Sequence, residues 1–145
     1  MQAPLLPLDD DTPPAPDRFV QARSAQSVAL LEDYVELIGD LTAEMGEARI
    51  TDIAQRMGVT HPTVTKAMAR LKREGLAVSR PYRGVFLTEA GAELAERVRL
   101  RHRVVVSFLV AVGVPAETAE LDAEGMEHHV SDATLAAFEA FLTRA

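Results

Sequence analysis

The sequence predicts a mainly α-helical protein: a winged helix-turn-helix with a two-stranded wing, then a second, helical domain. Two short helix-compatible segments flank Gly58 and are followed by a hairpin signature. Between Arg49 and Gly84 there are eight lysines and arginines against two acids, a local balance of +6 within a chain of net charge −7. From Gly113 to Thr143 there are seven acids and no lysine or arginine. A basic middle inside an acidic chain points to a segregated phosphate-binding surface; otherwise it is a solvated helix face.

The 145 residues suit one domain, or two small lobes sharing a core, and 48% hydrophobic with 26% charged residues is a globular composition. No apolar run approaches the roughly 18 residues that span a bilayer, and the start carries prolines and acids in place of a basic n-region. The absence of cysteine excludes disulfides and thiolate metal sites. A soluble cytoplasmic protein without membrane partners is expected.

Residues 1–23 hold five of the eight prolines and the run Asp9-Asp10-Asp11, and are expected to form a disordered tail. From Ser24 to Met45, Leu30, Leu31, Tyr34, Leu37, Ile38 and Leu41 recur at helical spacing, and Gly46 ends the pattern. Asp33 and Glu36 lie on this helix three apart; by themselves they read as a solvated face. Ile50–Met57 is the first helix of the motif, with Thr51 as its candidate cap, and Gly58 supplies the turn. Thr60 caps the second helix, whose first turn tolerates Pro62. Ile53, Ala54, Met57, Val59, Val64, Ala67, Met68 and Leu71 form the buried face. Thr60, His61, Thr63, Thr65, Lys66 and Arg70 are the candidate DNA contacts, short polar or cationic groups on a helix that fits the major groove.

Leu76–Arg80 and Val85–Thr88 read as strands around Pro81-Tyr-Arg-Gly84, placing Arg80 and Arg83 near the wing tip for phosphate or minor-groove contact. Thr88 caps a long helix to about Val112 that stops at Gly113 and Pro115. Its second half, Val104–Val112, is apolar nearly all round and calls for cover by a second copy of the chain. His102 stands among Arg99, Arg101 and Arg103, where a histidine is ordinarily a surface residue and its protonated form is disfavoured. Short helices follow after Pro115, through Glu124–His129, and from Ser131 with Leu135, Phe138, Phe141 and Leu142 as an apolar stripe. On a helix, Glu124, Glu127 and His128 project from one face, a set suited to part of a divalent metal site.

These stretches together, Glu32-Asp33-Tyr34-Val35-Glu36, Asp52-Ile53-Ala54 with Val59–Lys66, Tyr82-Arg83-Gly84 with Leu87-Thr88, Arg101-His102, and Gly113-Val114 with Glu124–His129, resemble the diphtheria-toxin-repressor-like metalloregulators over about residues 24–143. Within that family the likeness is to members that respond to manganese. After the tail read from composition (1–23), the resemblance implies a DNA-binding domain (24–95) and a dimerisation and metal-binding domain (96–145). It also implies a site for two Mn(II) ions per subunit held by Asp33, Glu36, His102, Glu124, Glu127 and His128, with His129 outside the ligand set. Iron-sensing relatives carry Met and Cys where Asp33 and Glu127 stand here. Hard carboxylates suit Mn(II), but Fe(II), Co(II), Zn(II) and Cd(II) compete for the same donors. The implied activity is that of a homodimeric repressor of manganese-uptake genes that binds a palindromic operator in double-stranded DNA, without catalysis. Two alternatives stand beside it: a small-ligand-responsive winged-helix regulator of the multiple-antibiotic-resistance type, for Leu87-Thr-Glu-Ala-Gly91, and a two-metal enzyme drawing on the same acids.

Overall fold

The computed structural model describes residues 4–5 and 15–144. Six helices and one hairpin follow in the order α1 (Ala15–Met45), α2 (Ile50–Met57), α3 (His61–Arg73), β1 (Ala77–Arg80), β2 (Gly84–Leu87), α4 (Glu89–Ala111), α5 (Ala116–Met126) and α6 (Asp132–Arg144). The mainly helical winged-helix prediction therefore holds. Residues 15–23, expected within the disordered tail, are instead helical. The run from Ala15 is rich in Ala, Gln and Arg, and Pro16 falls in the first turn, where its missing N–H leaves no acceptor unpaired. Phe19 and Val20 on that extension are 65% and 56% exposed, so local propensity, not packing, carries it. Residues 6–14, with the Asp9–Asp11 run, lie outside the described part.

The core of the N-terminal lobe gathers Leu31, Tyr34, Val35, Ile38 and Leu41 of α1 against Ile53, Ala54, Val64, Met68 and Leu71 of α2 and α3. Met57, Val59 and Ala67 pack against it, so the predicted buried face of the motif is recovered whole. On α1 the stripe is rotated slightly: Leu30 is 48% exposed and Val35 is fully buried. The turn works as expected, with Gly58 at φ +69° closing α2 and the Thr60 hydroxyl accepting from the Thr63 N–H. Thr51 does not cap α2; it lies inside the helix, and Arg49 holds the cap position without a side-chain bond.

β1 and β2 pair antiparallel from Ala77–Leu87 to Arg80–Gly84. Ala48 adds a bridge to Val85 that sequence reading did not anticipate. A Cβ on Gly84, at φ +102°, would come within 2.5 Å of the Ala48 carbonyl oxygen, so glycine permits that close approach. Thr88 caps α4 by accepting from the Gly91 N–H at 3.1 Å and donates to the Gly75 carbonyl at 2.7 Å, locking helix to wing. An ideal Cβ on Gly91 would lie 2.1 Å from the Leu76 carbonyl oxygen. Gly91→Ala is accordingly expected to destabilise the protein by about 3 kcal/mol, read as a lowered midpoint in chemical denaturation; a loss under about 0.5 kcal/mol would show that α4 shifts freely on the wing.

α4 packs against α1, α5 and α6. Phe108 stacks on Phe138 with ring centroids 3.9 Å apart and meets Phe141 edge-on at 5.4 Å. Ser131 caps α6 by accepting from the Thr134 N–H at 3.2 Å. No residue of α6 is fully buried, and Val110, Val112, Leu121 and Phe141 remain 42–77% exposed. The apolar second half of α4 is thus only partly covered within one chain. No described helix is long and apolar enough to cross a membrane.

Candidate metal centre and DNA interface

Three segments converge beside the junction of the lobes. α1 supplies Glu32, Asp33 and Glu36; α4 supplies Arg101 and His102; α5 and the turn after it supply Glu120, Glu124, Glu127 and His128. α5 ends at Met126, so Glu127 is its C-cap and His128 and His129 lie in the following turn. The helix expected through Glu124–His129 is therefore the last turn of α5 as far as Met126, followed by a turn at 127–129. The chain turns where helix would otherwise run on, which swings His128 inward, its side chain 3% exposed, and leaves His129 exposed.

Donor atoms of His102, Glu124 and Glu127 all lie within 4.8 Å of one another. His102 Nδ1 is 2.5 Å from Glu127 Oε2 and 3.8 Å from Glu124 Oε1. Around His128, Nε2 is 2.7 Å from Asp33 Oδ1 and 3.4 Å from Glu127 Oε1. The two carboxylate oxygens of Glu127, wholly buried, therefore face different histidines. Glu36 borders the same cleft, alongside Asp33 and Glu124 on one side and His102 on the other. The structure thus brings all six predicted ligands to one region, with Asp33, Glu36 and His128 outside the tightest three-residue group.

The electrostatics are those of crowded acids. Burial, reinforced by the Glu124 charge and only partly offset by His102 and His128, pushes the Glu127 carboxyl up to about 7. For His128, burial opposes the charge, yet its contacts with Asp33 and Glu32 win and raise it to about 10. Burial and the neighbouring Glu124 and Asp40 raise Glu36. His102 also rises: burial opposes this, but Glu120 and Glu127 overcome it. The expectation that surrounding arginines disfavour its protonated form is therefore reversed. Arg99 and Arg101 turn away to Asp40 at 2.9 Å and Glu32 at 3.0 Å.

Three buried atoms, Glu127 Oε1 and both ring nitrogens of His128, have no hydrogen-bond partner. The 2.7 Å approach of His128 Nε2 to Asp33 lacks hydrogen-bond direction, so it is proximity without a satisfied bond. Buried polar atoms are rarely left so. Convergent carboxylate and imidazole groups whose buried polar atoms lack partners fit a divalent cation, once the imidazoles give up their extra protons.

Sequence reading passed over two carboxylates as site members, Glu32 and Glu120. Glu32 is buried and ion-paired with Arg101, which also donates to the Glu127 carbonyl at 3.2 Å. Glu120 reaches His102 Nε2 at 2.7 Å. The signal for Glu120 was present, since it precedes Glu124 by four residues and so shares its helix face. Glu32 faces inward beside an outward Asp33, which no spacing rule separates.

On the other lobe, His61, Thr63, Thr65 and Lys66 are exposed along the start of α3, with Thr60 exposed at its cap. Arg70 is instead half-buried and donates to the Ser27 carbonyl at 3.0 Å, tying α3 to α1. Arg80 and Arg83 lie over the Phe86 ring at 4.6 and 5.2 Å, and Arg83 is 3.8 Å from Glu47. Tyr82, 98% exposed at the wing tip, takes a left-handed φ of +63°.

A winged helix-turn-helix with a cation-bearing hairpin, joined to a helical domain whose histidines and carboxylates converge, defines a DNA-binding regulator of the metal-responsive class. Residues 27–85 match the N-terminal DNA binding domain of the iron dependent repressors, and residues 88–145 match their metal binding and dimerisation domain. The chain belongs to the iron-dependent repressor family. It is 54% identical over 123 residues to the transcriptional regulator MntR of Escherichia coli O6:H1, covering 85% of this chain and 79% of that protein. With the HTH-type transcriptional regulator MntR of Lysinibacillus sphaericus it shares 41% identity over 101 residues, 70% of this chain and 73% of that one. Among solved structures, the manganese-activated repressor ScaR in its apo form superposes with a TM-score of 0.67 at 32% identity over 76% of this chain. The manganese regulator SloR does so with a TM-score of 0.68 at 29% identity over 79%. This chain spans about half the length of those two, 53% and 54%. The protein is a metal-dependent transcriptional repressor that binds DNA and forms a homodimer; the antibiotic-resistance-type alternative is not favoured, because residues 88–145 match a metal-binding domain.

Proposed function

We propose that the protein is a manganese-activated repressor of manganese-uptake genes, acting in the cytoplasm as a homodimer on a palindromic operator and without catalytic activity. Asp33, Glu36, His102, Glu124, Glu127 and His128 would hold Mn(II). The observation that carries this reading is the buried Glu127 carboxylate, placed between His102 on one side and His128 with Asp33 on the other. Two donor groups sharing one carboxylate support two ions per subunit. The names of the relatives support manganese, and the all-oxygen-and-nitrogen donor set suits it, although Fe(II), Co(II), Zn(II) and Cd(II) are expected to bind the isolated protein too.

A bound cation supplies the positive charge that lets carboxylates from both lobes converge without repulsion. Asp33 and Glu36 ride on α1 of the DNA-binding lobe, whereas His102, Glu124, Glu127 and His128 belong to the second domain. Drawing them together favours one arrangement of the lobes, hence one spacing of the two α3 helices in the dimer, which must match about one DNA turn. The test is operator affinity at fixed salt, in chelator and in excess Mn(II). Tightening with Mn(II) is expected, and equal affinity in both would end the proposal.

Proton release follows from the same contacts. His128, raised to about 10, is protonated at neutral pH without metal and must lose that proton to act as a ligand. Mn(II) affinity should therefore rise with pH, by about one decade per unit for this group alone until pH approaches its pKa. Between pH 6 and 7, Glu127, raised to about 7, adds to the slope. Calorimetric titration in buffers of different ionisation enthalpy counts the released protons, and a pH-independent affinity would contradict the ligand assignment.

A further inference from the structure

His102 is engaged at both ring nitrogens, and the two partners differ in kind. Nδ1 faces the metal cluster, 2.5 Å from Glu127 Oε2 and 3.8 Å from Glu124 Oε1. Nε2 points the other way, 2.7 Å from Oε2 of Glu120, which lies outside the group of His102, Glu124 and Glu127. We infer that Glu120 is a positioning residue for metal binding, accepting the Nε2–H of His102 and thereby keeping the Nδ1 lone pair aimed at Glu124 and Glu127. This inference rests on the ligand set proposed above.

A neutral imidazole carries one N–H and one lone pair, and an ionised carboxylate can only accept. With Nε2–H given to Glu120, the proton cannot sit on Nδ1, so the nitrogen among the carboxylates is the one able to bind a cation. The same bond stops the ring from turning over, which would send Nδ1 out of the cluster. Glu120 precedes Glu124 by one helical turn on α5, so a single face of that helix presents both the outer partner of His102 and an inner ligand. His128 shows a looser version with the nitrogens exchanged: Nε2 faces Asp33 and Glu127, and Nδ1 faces the buried Glu32 at 3.7 Å. The two histidines are thus set to bind through opposite nitrogens.

The test uses the full chain and two readouts. Mn(II) affinity is measured from the electron paramagnetic resonance signal of free Mn(II), and histidine tautomers from 15N spectra with diamagnetic Cd(II) bound. Glu120→Ala is expected to weaken Mn(II) binding about 10- to 100-fold. Glu120→Gln removes the charge but keeps a carbonyl acceptor, and should recover most of the loss. In the Cd(II)-loaded wild type the His102 proton should sit on Nε2 and that of His128 on Nδ1; Glu120→Ala should abolish the fixed His102 pattern alone. Glu120 is 59% exposed, so both variants should melt with the wild type in chelator. Wild-type affinity in Glu120→Ala, no recovery in Glu120→Gln, or a proton on Nδ1 of metal-loaded His102 would each overturn the inference. A wild type that takes up neither Mn(II) nor Cd(II) would overturn the ligand set, and this inference with it.

Discussion

Glu127→Ala is expected to abolish the Mn(II) dependence of operator affinity while leaving nonspecific DNA binding intact. Glu127 is fully buried, and its two oxygens are the groups that face both His102 and His128. Losing it removes a donor from each half of the site, so Mn(II) affinity should fall by more than the roughly 10- to 100-fold typical of outer partners. Nonspecific binding depends on cations meeting phosphates, and Lys66, Arg80 and Arg83 lie on the other lobe, so its salt dependence should stay unchanged. The measurement is paired: operator and random DNA, each titrated in chelator and in Mn(II). A variant that loses both activities has a folding defect, and one that keeps its Mn(II) response removes Glu127 from the site.

A second large effect is expected at Arg101, through stability. Its guanidinium is 3.0 Å from Glu32, whose side chain is 4% exposed, and it also holds the Glu127 carbonyl. Arg101→Met would strand a buried carboxylate among other acids, a loss of about 3–5 kcal/mol. Thermal unfolding in chelator should show a fall of roughly 10 °C or more. Glu32→Leu combined with Arg101→Met should recover most of it, because the cost lies in the unpaired charge more than in the lost attraction. A single variant that melts within about 2 °C of the wild type would show that water reaches Glu32. Because Glu32 is on α1 and Arg101 on α4, this pair joins the lobes even without metal.

The fold was largely legible because its signals are local. Apolar residues at helical spacing, Thr60, Thr88 and Ser131 at helix starts, and glycines at positive φ are each read within a few residues. The misses have equally local causes. Residues 15–23 looked like tail because prolines and acids dominate the surrounding stretch, yet Ala, Gln and Arg suffice to extend α1. Glu124–His129 looked like continuous helix because spacing cannot tell a helix from a helix that ends in a turn. Arg70 remains a candidate DNA contact by its position on α3, and only the packed structure shows that it also donates to the Ser27 carbonyl.

The sequence alone determined the elements, the division of charge and the residue types able to bind a hard cation, because periodicity, capping and composition act at short range. Spacing marked Glu124, Glu127 and His128 as part of a metal site, whereas Asp33, Glu36 and His102 joined the set from resemblance, and nothing in the spacing brings Asp33 to His128 across 95 positions. Tertiary structure decided that α1, α4 and the turn after α5 meet, and that Glu127 stands between two histidines. It also placed Glu120 2.7 Å from His102 Nε2 and Glu32 3.7 Å from His128 Nδ1. Such contacts depend on how helices pack and where a chain turns, which is set by the whole core and not by any one segment.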